Sequence, residues 1–449
     1  MKKKRRLNNR GKRKRRRRIM KRIVRLLVIL LPVILIFMIG SCIINRSKDT
    51  DNNKTKETIL TITENEKKLE PKTASLISGG DIIMHGPFLK SSHYKKDDGT
   101  YDYNPIFQYV KDTYQSADYT ILNLESTISE GNYTSYPMFR APSDIVRAIA
   151  SNGGDMCLLG NNHIYDNFGD GLTMTLNALE ENSLDYIGVR RSISDNYYQI
   201  VDVNEIKIGI FNYTYETPMS GGQHTINSIP VSSTDIEIIN TFNYDEIELF
   251  YNEITSGLQY MEEQNVDYTI AFLHWGEEYQ TTENERQRDI AQKLCDLGID
   301  ALIGGHPHVI QPVDLLTSTT GEHKMVCVYS MGNHLANQHK GRISSSPNGH
   351  TEDGIMIRLT IDKDEDDVIA LTDIQFVPTW TYRTVGVGDS QNPEFFIFPL
   401  DNPEDIITKA KDLSNLDIQS QVTDSLKRTN EIISEGVTKI KQALPIVVL

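Results

Sequence analysis

The segment TASLISGGDIIMHG, residues 73–86, combines the structural and chemical signals that recur along this chain. Its apolar run 74–77 is typical of a buried strand. The polar tetrapeptide SGGD follows at once and ends in Asp81, with His85 four residues later. Glycines allow the backbone to turn tightly or to approach a ligand closely. The segment therefore predicts a strand whose carboxyl end carries a polar site.

The same organisation recurs farther along the chain. Further candidate buried strands are the apolar runs 119–122, 156–159, 206–211, 268–273, 301–303 and 325–329. Helix-like stretches lie between several of them, at 106–115, 144–151, 171–182, 246–264 and 283–297. Residues 354–361 and 368–377 predict an antiparallel pair across the acidic turn 362–367. Alternating strands and helices indicate a layered α/β domain.

Carboxylate, amide or imidazole side chains follow six of these strands. Besides Asp81 and His85, they are Asn123, Glu125, Asn162, His163, Asp166, His274, Glu277, His306, His308, Asn333 and His334. Ligands of open α/β sheets bind at the carboxyl ends of strands, so we expect these groups to converge. Oxygen and imidazole ligands without thiolates suit one or two divalent ions, such as Mn, Fe, Zn or Mg. The alternative interpretation is that the histidines only hydrogen-bond loop backbone.

Other chemistries find no support in the sequence. It contains neither a G-x-x-x-x-G-K-[ST] phosphate loop nor a G-x-S-x-G nucleophile elbow. Cys157, Cys295 and Cys327 lie in apolar stretches without C-x-x-C spacing, which favours small buried side chains over disulfides or thiolate metal ligands.

Charge is distributed unevenly along the 449 residues. The chain has 47 Lys and Arg against 61 Asp and Glu, and 16 of the cations lie in residues 1–25, which hold no acid, so the remainder carries a formal charge of −30. Phosphate contacts need clustered cations, so we expect no nucleic-acid binding by this acidic body. The basic head alone also fits a nucleic-acid or nuclear-targeting patch, but the segment that follows it favours another interpretation.

An apolar segment follows the basic head directly. LLVILLPVILIFMIGSCII, residues 26–44, has no charge and approaches the roughly 20 residues that span a bilayer. It predicts a single transmembrane helix over residues 26–45, with residues 1–25 cytoplasmic and the body extracellular. A cleaved signal peptide is disfavoured because the apolar region is too long. The alternative is a lipoprotein processed at Cys42, which also places the body on the outer face of the cell membrane.

Several motifs together resemble a known family. GGDIIMHG, NLE, GNNHIYD, HWGEEY, GGHPHVIQP and YSMGNH occur in this order over residues 73–340. They resemble the bacterial capsule synthesis protein CapA family, associated with poly-γ-glutamate, which is similar to calcineurin-like metallophosphoesterases. The resemblance implies a four-layer α/β sandwich, with two mixed sheets flanked by helices, over residues 73–390. A polar stalk, 46–72, would precede it and a partly helical tail, 391–449, would follow.

The resemblance also implies roles for individual residues. The implied metal ligands are Asp81, Glu125, Asn162, His274, His306 and His308, with Glu125 bridging two ions. His163 would act as general acid or stabilise charge, oriented by Asp166. The sequence departs from the phosphoesterase pattern Asp-x-His, because the histidine nearest after Asp81 is His85. One ligand of the first ion is therefore open to question, and so is the number of ions.

Two functions remain open at this point. The first is a metal-dependent hydrolase or transferase that acts on phosphoesters or on the amide bonds of a polymer. The second is a non-catalytic component that binds or guides an anionic envelope polymer, such as polyglutamate, through an export complex with membrane-embedded synthase subunits. A positioned proton donor at His163 distinguishes the two, because a transport component has little use for one.

Overall fold

The computed structural model describes residues 70–346, 348–384, 392–410, 413 and 418–448. The predicted head, the predicted anchor with Cys42, and the stalk as far as residue 69 lie outside this part. Within it, no helix has both the length and the apolar character needed to cross a membrane. Residues 69–449 make up one compact unit. The domain boundaries given above stay predictions.

The strands and helices of the described residues are numbered in chain order. The strands are β1 (Lys72–Ile82), β2 (Tyr119–Leu124), β3 (Thr127–Ile128), β4 (Arg140–Ala141), β5 (Met156–Leu158), β6 (Asp185–Ile187), β7 (Tyr198–Val203), β8 (Ile206–Tyr215), β9 (Thr217–Ser220), β10 (Gln223–Ile226), β11 (Ile229–Pro230), β12 (Thr241–Phe242), β13 (Tyr268–His274), β14 (Ala301–Gly305), β15 (Val313–Thr317), β16 (Lys324–Val328), β17 (Asn333–Leu335), β18 (Asp353–Lys363), β19 (Ile369–Arg383), β20 (Phe395–Pro399) and β21 (Ile446–Val447). The α-helices are α1 (Gly86–Lys90), α2 (Asn104–Phe107), α3 (Lys111–Gln115), α4 (Asp144–Ser151), α5 (Phe168–Glu181), α6 (Ile247–Glu263), α7 (Glu285–Leu297), α8 (Pro403–Ala410) and α9 (Ile418–Ala443).

Two mixed sheets form the body. The first has the order β20-β19-β18-β1-β2-β5-β6, with β17 beside β1 and β21 beside β19. Its strands β1, β2, β5 and β6 are parallel, whereas β18 to β20 are antiparallel. The second has the order β12-β8-β13-β14-β16-β15, with β7 beside β8, and its strands β8, β13, β14 and β16 are parallel. Each sheet therefore has a set of adjacent parallel strands whose carboxyl ends can carry a site.

The two sheets pack face to face as a sandwich. Alternate residues of β1 point to opposite sides, so that Leu76 joins the core between the sheets and Ile77 joins a second core beneath α1 to α5. A third core lies between the second sheet and α6 and α7, where Phe211 meets Phe250 and Leu294. The described part of the chain is thus layered as helices, sheet, sheet and helices.

The structure confirms the predicted α/β character and the positions of the predicted strands, including the antiparallel pair β18 and β19. The three cysteines of the described residues are free and buried, as expected. The single helix predicted over 106–115 is wrong. It is divided into α2 and α3 because Val110 N–H donates to Phe107 O in a turn, at 3.0 Å, between the two helices.

The segment predicted as a tail contributes to the sandwich. Strand β20 pairs with β19, and Ile433 and Ile440 of α9 enter the core between the sheets. Helix α9 approaches β15 closely at Gly436, where a Cβ atom would lie 1.7 Å from Val313 O. Only glycine allows this contact between helix and strand.

Candidate metal centre

The structure brings the six predicted metal ligands to one edge of the sandwich. Asp81 lies in β1, Glu125 directly follows β2, and Asn162 lies in the turn after β5, so the first sheet supplies all three. The second sheet supplies the histidines: His274 ends β13, and His306 and His308 follow β14. All six side chains are buried.

These residues form two groups that share one carboxylate. Potential ligand atoms of Glu125, His274 and His306 lie within 4.8 Å of one another, and so do those of Asp81, Glu125 and His308. Asn162 Oδ1 lies 2.9 Å from His274 Nε2 and adds an amide oxygen to the first group. The arrangement can hold one ion, or two ions bridged by Glu125.

Several buried polar atoms at this edge lack a hydrogen-bond partner. Both carboxylate oxygens of Glu125 are shielded from solvent and unpartnered, and so are the Nδ1 atoms of His274 and His306. An unsatisfied buried polar atom costs about 1–3 kcal/mol, so such a concentration needs a reason. A divalent ion would satisfy these atoms together, because oxygen and imidazole nitrogen are ligands that it takes. The residues present therefore fit a divalent metal.

Charge points to the same conclusion. Within the described residues, the ion pairs of Asp81 and Glu125 are made with imidazoles and not with Lys or Arg: His308 Nδ1 lies 3.4 Å from Asp81 Oδ2, and His274 Nε2 lies 3.4 Å from Glu125 Oε1. Burial lowers the pKa of His308, but the charges of Glu125 and Asp81 outweigh it and raise that pKa to about 9. Burial, and then the neighbouring His274 and His308, hold the pKa of His306 well below its usual range. The two carboxylates thus favour a proton on His308.

Amide side chains and backbone orient the ligands. Asn123 Nδ2 donates to Asp81 Oδ1 at 2.7 Å, and the backbone N–H of His306 donates to Asp81 Oδ2 at 3.2 Å. Asn333 Nδ2 donates to the backbone oxygen of His308 at 3.2 Å. Asn123 and Asn333 therefore support the centre through their amide nitrogens. His306 and His308 have φ values of 96° and 58°, a strained conformation that is typical of functional sites.

His163 and Asp166 form a buried dyad next to the ligand Asn162. His163 Nδ1 lies 2.7 Å from Asp166 Oδ2, which also accepts the backbone N–H of Phe139. Since an ionised carboxylate only accepts, His163 Nδ1 carries the proton of this bond and Nε2 remains for another partner. Asn227 Nδ2 lies 3.4 Å from the same Nδ1. The dyad holds the imidazole in one orientation.

The structure does not bring three of the additional candidates into either ligand group. His334 lies against Tyr114 of α3 on the helix side of the first sheet, with its Nε2 bonded to the Tyr114 hydroxyl, because side chains alternate along β17. Glu277 is exposed in the turn after β13. His85 is buried nearby but bonds to the backbone of Asn337.

Two tyrosines near the centre were not predicted. Tyr215 OH lies 3.2 Å from His306 Nε2, and the ring centroid of Tyr279 lies 6.0 Å from that of His308. Tyr215 ends β8, which continues four residues beyond the predicted strand 206–211. Extending that strand would have placed Tyr215 at the same edge as His274. For Tyr279, which lies in a turn with a φ of 66°, the sequence offers no comparable signal.

Comparison with known proteins identifies relatives that match the part of the chain containing this centre. A family model described as bacterial capsule synthesis protein PGA_cap matches residues 75–338, which include all six candidate ligands. The chain is similar to PGA biosynthesis protein CapA of Bacillus subtilis (strain 168), with 27% identity over 265 residues, 58% of this chain and 62% of that protein. It is also similar to capsule biosynthesis protein CapA of Bacillus anthracis, with 24% identity over 266 residues, 57% and 60% of the two chains. The matches thus span about three-fifths of each relative.

Proposed function

The chain belongs to the bacterial capsule synthesis protein family, and from that membership we propose that it serves the biosynthesis of a capsule or another cell-envelope polymer. Poly-γ-glutamate is the polymer that we favour, because one similar protein is named for PGA biosynthesis. The observation that carries a metal-dependent role is the pair of unpartnered, buried oxygens of Glu125, shared by two ligand groups.

The proposed centre holds divalent ions between the two sheets. Asp81, Glu125 and His308 would hold one ion, and Glu125, His274 and His306 the other, with Asn162 Oδ1 beside the second. Such ions lower the pKa of bound water and clamp a phosphoryl or carboxyl oxygen. The ligand set excludes thiolates, which favours Mn, Fe, Zn or Mg without selecting among them.

The proposed reaction is hydrolysis or transfer at a phosphoester or at an amide bond of the polymer. His163 supplies the proton. The proposed acid is the imidazolium form of the ring: Asp166 accepts from Nδ1 at 2.7 Å and fixes the orientation, so that the second proton, on Nε2, can pass to a leaving group. Phe139 packs against the imidazole of His163 and limits its rotation; the two ring centroids lie 4.6 Å apart. A dyad of this kind favours catalysis over simple binding.

We further propose that the four layers belong to the calcineurin-like metallophosphoesterase architecture and that the protein works on the outer face of the cell membrane. The sequence of residues 26–45 supports a single-pass anchor, and the basic residues 1–25 support a cytoplasmic N-terminus. Membrane-embedded synthase subunits and the anionic polymer are the partners that this location favours.

One observation favours a second function, that of a non-catalytic polymer-binding or export component. The ligand group of Asp81, Glu125 and His308 has a single imidazole, because His85 bonds to the backbone of Asn337 and does not take the place of the histidine in the Asp-x-His pattern. A centre that retains one ion can hold polymer carboxylates without supplying a second ion for hydrolysis. The two functions differ in what they require of His163.

Elemental analysis of the purified full chain, combined with activity assays, tests these proposals. We expect bound metal in the wild type, loss of metal in His306→Ala, and retained metal with lost turnover of polymer or phosphoester in His163→Ala. His224→Ala is the matched control, since His224 pairs with Glu216 outside the two ligand groups and its loss leaves the metal in place.

The outcomes separate the alternatives. Bound metal without turnover of any substrate supports the export component. Turnover that is unchanged in His163→Ala contradicts the role given to the dyad. If the wild type binds no metal after exposure to each candidate ion, the proposal of a metal centre is wrong.

A further inference from the structure

His85 lies beside the candidate metal centre without belonging to either ligand group. The ring of Phe139 separates it from His163: the ring centroid of Phe139 lies 5.0 Å from that of His85 and 4.6 Å from that of His163, both in edge-to-face contact. The side chain of His85 is 9% exposed. Two imidazoles therefore flank one aromatic ring at the same edge of the sandwich, and only His163 has a carboxylate partner among the described residues.

Hydrogen bonds of the backbone assign the tautomer of His85. Its Nδ1 lies 3.3 Å from two backbone groups, the N–H of Asn337 and the carbonyl oxygen of Ile83. The Ile83 oxygen already accepts the backbone N–H of His85 at 2.9 Å, whereas within the described residues the Asn337 N–H has only His85 Nδ1 as acceptor. A proton on Nδ1 would leave that N–H unsatisfied, at a cost of about a hydrogen bond. His85 Nδ1 is therefore the acceptor, and Nε2 carries the proton.

The Nε2 atom of His85 is available to a ligand. It makes no hydrogen bond to the described residues, yet it is not among the buried polar atoms that are both unpartnered and shielded from solvent. Burial, followed by the charge of His308, lowers the pKa of His85 to about 3, so the ring stays neutral at physiological pH. The ring contacts Phe139 as that of His163 does, and the charges of His308 and His163 act on its pKa, so it lies near the centre. Its N–H on Nε2 has no acceptor among the described residues.

We propose that His85 Nε2–H is a binding donor for an anionic oxygen, of phosphate or of a carboxylate, held at the metal centre. The inference rests on the proposed function for the presence of the metal, but the role of His85 is separate from metal binding. A preorganised neutral donor lowers the energy of a bound oxyanion without adding a proton that can be lost. It also explains why the histidine stands four residues after Asp81 and not two.

The tautomer is tested first, in the wild-type full chain labelled with ¹⁵N-histidine. Long-range proton–nitrogen correlation spectra should show a neutral ring of His85 protonated on Nε2 between pH 6 and 8, with and without Zn²⁺. The His85→Gln spectrum identifies the signal. A ring protonated on Nδ1, or one whose Nε2 signal shifts on addition of Zn²⁺ as a coordinated nitrogen does, would overturn the inference.

Anion binding is tested in the Mn²⁺-loaded full chain through paramagnetic broadening of the ³¹P signal of inorganic phosphate and of the ¹³C signal of labelled acetate. His85→Asn keeps an amide near the position of Nδ1 but has no group at Nε2, and we expect it to weaken binding of phosphate, acetate or both about 10- to 100-fold. His85→Gln restores an N–H near Nε2 and should bind within about threefold of wild type.

Metal content distinguishes failure of this inference from failure of the proposed function. Wild type and both variants should retain the same Mn²⁺ content. Unchanged anion affinity in His85→Asn, loss of metal from that variant alone, or binding of neither anion by the Mn²⁺-loaded wild type would each overturn the role of His85. Absence of metal from the wild type would instead remove the proposed centre and, with it, the premise.

Discussion

Two buried carboxylates of this protein, Asp353 and Glu125, have opposite surroundings. Asp353 receives two hydrogen bonds from Arg428, at 2.6 and 2.8 Å, and a third from Ser425 Oγ at 2.7 Å. Glu125 is 0% exposed, and neither of its oxygens has a hydrogen-bond partner. The chain therefore satisfies the carboxylate of Asp353 with its own hydrogen-bond donors and leaves that of Glu125 without one. We call the first the closed cluster and the second the open cluster.

The contrast indicates that the two clusters have different roles. The closed one joins β18 to α9, and its charge is matched within the protein, as a structural ion pair requires. The open one is surrounded by the imidazoles of His274, His306 and His308 and has no guanidinium or ammonium partner among the described residues. A buried site whose polar atoms lack partners within the protein indicates that a ligand binds there after folding.

Removing the partner of the closed carboxylate should have the largest effect. We expect Arg428→Ala to lower the free energy of unfolding by about 3–5 kcal/mol, because Asp353 would remain buried and unpaired. Denaturant titration measures the change. Arg288→Ala is the control: its pair with Glu283 is half exposed, and such pairs contribute about 0–1 kcal/mol. Similar, small losses of stability in both variants would contradict the role of Arg428 as the partner that stabilises buried Asp353.

Changing the open carboxylate should behave differently with and without metal. In the metal-free protein at about pH 9, where the proton on His308 contributes little stability, Glu125→Gln should cost at most about 1 kcal/mol, since no hydrogen bond is lost. The stabilisation that metal gives the wild type, about 3–4 kcal/mol at 100 to 1,000 times its dissociation constant, should disappear. Thermal unfolding with and without added metal measures both quantities. A large loss in the metal-free variant would mean that Glu125 is a structural residue like Asp353.

A smaller effect is expected from the support of the ligands. Asn123→Ala removes the amide that donates to Asp81 at 2.7 Å and should weaken metal binding about 10- to 100-fold. Asn227→Ala removes a contact to His163 and not to a ligand, so its metal affinity should equal that of the wild type. Competition with a chelator measures both affinities. Equal affinities in the two variants would contradict the orientation of Asp81 by Asn123.

Acidity should modulate the open cluster through His308. In the metal-free protein the pKa of His308 is raised to about 9, above its usual range, so the folded form binds the proton more tightly than the unfolded form does. The stability from this proton is fully present below about pH 6.5 and is lost as pH rises through about 9. Metal must displace the proton, so its apparent affinity should rise by up to about tenfold per pH unit towards pH 9.

Proton release on metal binding measures this linkage. Calorimetric titrations at one pH in buffers of different ionisation enthalpy should show about one proton released for the wild type. The release should be absent from His308→Gln. Metal binding by the wild type without release would contradict the shared proton assigned to His308, Glu125 and Asp81.

Much of this arrangement could be predicted from the sequence, because the strands that carry the site are short apolar runs that end in polar residues. The run 74–77 predicts β1, and the local pattern alone places Asp81 near its carboxyl end. What the pattern does not give is which strands lie side by side. Asp81 meets the backbone of His306 across a separation of 225 residues. The rule for strand ends predicts that the two converge, but only the resemblance to a family assigned both to one metal centre.

The errors have local physical causes. His334 follows a strand-like run as the candidate ligands do, but it lies one position after Asn333, and alternation along β17 turns it towards Tyr114. A helical period over 106–115 does not reveal that the backbone turns at Val110. The polar pattern of the final helix indicates a helix but not the strand it covers, which depends on the close contact of Gly436 with Val313.

The most direct test of the open cluster is a crystal structure of the full chain soaked in Mn²⁺, with an anomalous difference map. We expect one or two strong peaks within coordinating distance of Glu125 and none at Asp353. One peak should lie beside Asp81 and His308, or beside His274 and His306, or one at each position. A map without a peak beside Glu125, at a Mn²⁺ concentration that saturates the protein in solution, would contradict the proposed metal centre.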